Sequence, residues 1–111
     1  STPIKSSAAS DVYKRQPVVC TGDFNVNEGS TVYNLMNDGF IGDSKYLAPD
    51  TMASGTYHDY FPIFMSKKSP IDYIFVTKAT VAPQVYRVLN HRVNGRFASD
   101  HYAIYADVVM K

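Results

Sequence analysis

Tryptophan is absent and cysteine occurs once, at Cys20, in a chain of 111 residues. A single thiol excludes an internal disulfide framework and any zinc site built on several thiolates. No apolar run approaches the roughly 18–20 residues of a membrane helix, so no segment reads as a helical span. A basic excess is missing too. Residues 1–16 hold Lys5, Lys14 and Arg15 against Asp11, which is +2 of a formal net charge of +1. The remaining eight Lys or Arg and nine Asp or Glu sum to −1. Net charge therefore gives no support to long nucleic acid as a partner.

What is present suits a folded domain. Hydrophobic residues make up 45% of the chain and charged residues 19%, enough to bury a core and outside the disordered class. Nine tyrosines and six phenylalanines favour strands, where aromatic rings pack on a pleated surface. The length allows one small domain or part of a larger one.

Residues 1–16 are small, polar and without periodicity, and they read as a tail separate from a domain over 17–111. The stretch Asp11-Val12-Tyr13-Lys14-Arg15-Gln16 resembles a translated transposase-end adapter, which implies an artificial junction before Pro17. From there residues 18–20 form a short apolar run suited to a buried strand, and 23–30 are a turn-rich loop. Val32, Leu35 and Met36 fall at helical spacing, with Ser30 as N-cap and Gly39 as the left-handed C-terminal residue. Residues 42–70 hold three of the six prolines and read as a long loop with a short strand near Thr56 and Tyr57. Three strands follow, over 71–77, 84–89 and 102–110. Strand, helix, long loop and three strands predict a mixed layered α/β domain.

Polar groups interrupt these strands at three places. Asp23 and Asn25 follow the first strand, Asp72 lies inside the second, and Asp100 and His101 precede the last. An acid within an otherwise buried strand is costly unless paired, and three at strand ends with a histidine point to one shared site. Asp and Asn oxygens suit a hard cation such as Mg²⁺ or Mn²⁺. A carboxylate beside a histidine orients the ring and favours the imidazolium, which suits a phosphoryl oxygen. Asp72 could serve His101 in this way.

Together, Thr21-Gly22-Asp23-Phe24-Asn25, Ile71-Asp72-Tyr73-Ile74-Phe75 and Ser99-Asp100-His101 resemble the second half of the endonuclease/exonuclease/phosphatase superfamily. The resemblance covers almost all of 17–111, in the family's order. It implies a deoxyribonuclease-I-like α+β fold, a layered sandwich of two packed, mainly antiparallel sheets, of which this chain supplies about the C-terminal half. It also implies Mg²⁺- or Mn²⁺-dependent hydrolysis of a phosphate ester: nucleic acid, a small phosphorylated molecule or a phospholipid headgroup. On that basis Asp23 activates water, Asn25 orients it, Asp72 holds His101, and His101 contacts the scissile phosphate. Asp100 would lie beside the metal, and Thr56 and Tyr57, in Gly55-Thr56-Tyr57-His58, would face substrate. Pro70 stands where many relatives carry a basic residue. The family's principal metal-binding glutamate belongs to an N-terminal half not represented here, so the chain alone is expected to be inactive. The alternative is a non-catalytic β-rich interaction module.

Other polar residues read more plainly. Glu28, Asp38, Asp43 and Asp50 are expected to be solvated acids, and His58 and His91 loop histidines. Arg87, Arg92 and Arg96 with His91 make a locally basic region, either a phosphate-attracting rim or a solvated hairpin face. Tyr73, Phe75, Tyr102 and Tyr105 are expected to pack, as is Cys20.

Overall fold

The computed structural model describes residues 16–111, so all but Gln16 of the predicted tail lies outside the described residues. Its central element is the run read as the second strand, β3 (Asp72–Thr77), flanked by β1 (Val19–Asp23) and β2 (Ile41–Asp43). Both neighbours pair with it antiparallel, in the order β1-β3-β2. A second sheet is a long antiparallel pair, β4 (Val81–Leu89) with β5 (Ala103–Met110), bulged between Pro83 and Val85. Two antiparallel sheets with few helices form the predicted α+β architecture.

Side chains alternate across a strand, and β3 uses both faces. Tyr73 and Phe75 meet Tyr33 of the short helix α1 (Thr31–Met36), with Cys20, Phe24 and Ile41 packed around them. On the other face Ile74 and Val76 join Val81 against Ile104, Ala106 and Val108 of β5. One strand thus divides a helix-covered aromatic layer from an aliphatic layer between the sheets. A third cluster, Ala48, Tyr86, Val88 and Tyr102, includes two residues of β4 and shares the partly buried Ile104 with the aliphatic layer.

Local differences from the sequence reading have physical causes. β1 is an edge strand rather than a buried one, with Val19 at 46% exposure. Ser30 does cap α1, its hydroxyl accepting from Tyr33 N, but Val32 and Leu35 face outward and Tyr33 and Met36 inward. In a helix of under two turns, one large aromatic decides the face. Gly39 lacks the left-handed conformation, and the helix ends at Asn37, whose side chain accepts from Asp43 N.

The region read as a loop contains β2 and a single helical turn, α2 (Ser44–Leu47), both too short to show a period. Its predicted strand at Thr56 and Tyr57 reduces to one bridge, Tyr57 to His101. Asp43 is buried rather than solvated, accepting from Tyr33 Oη at 2.9 Å and from Lys45 N at 3.0 Å. Burial raises the pKa of the Asp43 carboxyl, and these hydrogen bonds oppose that shift. Glu28 is likewise engaged, by Lys45 Nζ at 2.7 Å and by the Tyr46 hydroxyl.

Tyr33→Phe should leave Asp43 buried without its side-chain donor. The expected loss is about 1–3 kcal/mol, read as a lower denaturation midpoint at unchanged denaturant dependence.

Candidate active site

The antiparallel register of β1 with β3 sets Asp23, the last residue of one strand, opposite Asp72, the first residue of the other. Like charges in directly opposed positions repel. His101 lies between them, with Nδ1 2.8 Å from Asp72 Oδ2 and Nε2 3.7 Å from Asp23 Oδ2. The first contact is a hydrogen bond; the second is an ion-pair distance beyond hydrogen-bond length. Ligand atoms of Asp23, Asp72 and His101 all lie within 4.8 Å of one another.

Thr56 holds this arrangement from behind. Its hydroxyl accepts from Ile71 N at 3.0 Å and Asp72 N at 3.2 Å, and its carbonyl accepts from Tyr102 N at 2.6 Å. One residue therefore ties the start of β3 to the segment carrying His101. Thr56 is fully buried, which corrects the expectation that it faces substrate: its hydroxyl is spent on the backbone. Tyr57 does remain exposed, at 41%, with its ring edge-on to His101 at 5.0 Å.

The loop after β1 is shaped by its own side chains. Asp23 Oδ1 accepts from Asn25 N at 2.9 Å, and Asn25 takes φ 55°, a left-handed conformation that asparagine tolerates. Its side chain is exposed beside Asp23. Asp100 stands outside the carboxylate–histidine group that was expected to include it. Its carbonyl accepts from His58 N and Asp59 N, and its carboxylate is 3.4 Å from Ser99 Oγ. His58, read as a loop residue, is buried against Phe97 and Tyr102, so it helps fix the segment before His101. Sequence could not separate it from His91, because its burial comes from residues about forty positions away.

The hydrogen bond to Asp72 raises the His101 pKa. Burial opposes that shift, and the charges of Asp72, Asp23 and Asp100 add to it. A raised folded-state pKa stabilises the protein fully below the ordinary value of 6.5, and this contribution is lost as pH rises through the raised value. A cleft of about 370 Å³ lined by Asp23, Asp72 and Ile104 opens at the same place. The donors are mostly carboxylate oxygens, which fits a hard cation held through one or two carboxylates and completed by water and phosphate oxygens.

In an NMR titration His101 should have its midpoint above 6.5, and Asp72→Asn should move that midpoint downward. Thr56→Val should cost about 1–3 kcal/mol and speed hydrogen exchange at the Asp72 amide, because two part-buried N–H groups lose their acceptor.

The sequence matches the endonuclease/exonuclease/phosphatase family over residues 6–101. Among solved structures, an endonuclease/exonuclease/phosphatase from Bacteroides vulgatus is 28% identical with a TM-score of 0.76. A functionally unknown conserved protein from Enterococcus faecalis is 29% identical, with the same TM-score of 0.76. Each of these two alignments covers 97% of this chain and 42% of the other. A mannosyl-6-phosphatase from Bacteroides thetaiotaomicron is 26% identical with a TM-score of 0.78, covering 96% of this chain and 43% of that one. The chain thus spans less than half the length of these relatives. No curated protein sequence matches it. With the family match covering most of the sequence and the fold agreeing, the chain belongs to the endonuclease/exonuclease/phosphatase family.

Proposed function

We propose that this chain is the C-terminal part of a metal-dependent phosphoesterase that hydrolyses a phosphate ester with an activated water. The observation that carries the reading is His101 placed between Asp72 and Asp23 at the ends of paired strands. In this reading Asp23 positions the attacking water and accepts its proton, and Asn25 orients the same group from the adjoining turn. Asp72 receives the Nδ1 proton of His101 in a hydrogen bond. That contact favours the imidazolium and leaves Nε2 to donate to a phosphoryl oxygen as charge develops there.

Asp72 stays on His101, and Asp100, directly or through water, is the residue that would hold Mg²⁺ or Mn²⁺ beside this group. The ion, when bound, supplies charge neutralisation for the phosphoryl oxygens. Tyr57 would face substrate beside His101. A small phosphorylated molecule is favoured as substrate by the mannosyl-6-phosphatase among the relatives and by a net charge near neutral. The remaining part of the family fold would complete the metal site, so the 111 residues alone should bind phosphate without turnover.

In a protein carrying the rest of the family fold, Asp23→Ala and His101→Ala should each lower kcat by about a hundred- to ten-thousand-fold with folding preserved. Unchanged turnover in either variant would sink the reading in favour of a non-catalytic interaction module. Hydrolysis of an aryl phosphate by the 111-residue chain with Mg²⁺ would disprove the need for the remainder.

A further inference from the structure

A second cleft, of about 340 Å³, has His101 in its wall. Leu89, Val93, Phe97 and Ala98 supply its apolar surface, and His91 is a polar member. It lies between the end of β4 and the start of β5, on the loop that leads into His101. The volume exceeds what a phosphoryl group needs and falls in the lower range of small-molecule sites.

This loop is built rather than loose. Asn94 and Gly95 take φ 52° and 74°, the paired left-handed conformations of a two-residue hairpin turn. Val93 N donates to Arg96 O at 2.8 Å, and Arg96 N donates back to Val93 O at 3.0 Å. Phe97 is held by the Arg92 guanidinium, 4.6 Å from its ring centre, and by the His58 ring at 4.3 Å. Arg87, which the sequence groups with these cations, is instead paired with Asp50 at 2.6 Å. Arg92 and Arg96 remain on the loop with no salt-bridge partner among the described residues, which suits an anionic visitor.

Apolar side chains in a concavity are costly to leave in water. Val93 is 63% exposed and Leu89 37% exposed, and both line the cleft. A group bonded to a phosphate at His101 would reach this wall directly, because the histidine belongs to both places. We infer that the cleft is the subsite for the alcohol portion of the substrate, and that it selects a ring with an apolar face. The inference rests on the phosphoester reading and deepens it: the carboxylate–histidine group takes the phosphate, and the hairpin takes what the phosphate is bonded to. A pyranose and an aryl ring share that chemistry.

The test is an NMR titration of the 111-residue chain, with Mg²⁺ present, using inorganic phosphate, phenyl phosphate and mannose 6-phosphate. Inorganic phosphate should move signals of Asp23, Asp72 and His101 alone. A ring-bearing phosphate should also move the amides of residues 89–98 and bind about tenfold more tightly, as burial of one ring face implies. A response to phenyl phosphate only would assign an aryl group, and a response to mannose 6-phosphate a sugar. Val93→Ser, at an exposed position outside the core, should remove the gain without altering phosphate affinity. Movement near His101 that never extends to 89–98, or a gain that survives Val93→Ser, would overturn the subsite while leaving the phosphoester reading intact. Failure of inorganic phosphate to perturb Asp23, Asp72 and His101 would overturn both.

Discussion

Everything in this domain depends on the register of β1 against β3. Because side chains alternate with a period of two, a slip of one residue would turn Tyr73 and Phe75 toward the second sheet and Ile74 and Val76 toward α1. The same register sets Asp23 opposite Asp72. Core and site are therefore specified by one alignment. Aromatic packing on one face and aliphatic packing on the other hold two carboxylates in a position that their mutual repulsion disfavours. His101 then finds a place where its positive form has two partners.

Joining the two sheets at this point falls to Thr56. The segment after Asp72 belongs to the first sheet and the segment after His101 to the second, so neither strand pairing alone fixes the distance between them. A buried hydroxyl accepting from β3, on a residue whose carbonyl accepts from Tyr102, closes that gap. Threonine is well suited because its side chain is short and stiff, so the accepting oxygen is held close to its own backbone. The carboxylate–histidine contact is as much a product of this interior hydrogen bonding as of the strands that carry it.

Acids of the same sequence meet different fates for reasons that geometry supplies. Asp43 is buried and satisfied by Tyr33 and Lys45, Glu28 is bound by Lys45 and Tyr46, and Asp50 is paired with Arg87 at the surface. Each has its charge or lone pairs answered locally. Asp23 differs in its partner: with its side chain 48% exposed, it faces neither lysine nor arginine but the His101 ring, whose Nε2 is 3.7 Å away. That leaves its second oxygen open to water and to a hard cation, whereas Asp43 is closed off by burial and Glu28 and Asp50 by a lysine or arginine.

The sequence by itself determined that Asp23, Asn25, Asp72 and His101 sit at strand ends. Apolar runs broken by a polar residue are a local pattern, and three such breaks in order carried the family resemblance. Strands β3, β4 and β5 were legible for the same reason, being long enough to show β-branched and aromatic bias. The cap at Ser30 was legible because capping is decided within four residues. Tertiary structure alone decided the inward face of α1, the burial of Asp43 and His58, and the role of Thr56. In each case the deciding partner lies elsewhere in the chain, as Thr56 does from Ile71 and Tyr102. β2 and α2 escaped because three or four residues cannot show a period. Position along a strand is written in adjacent residues; burial and partnership depend on what the fold brings against them.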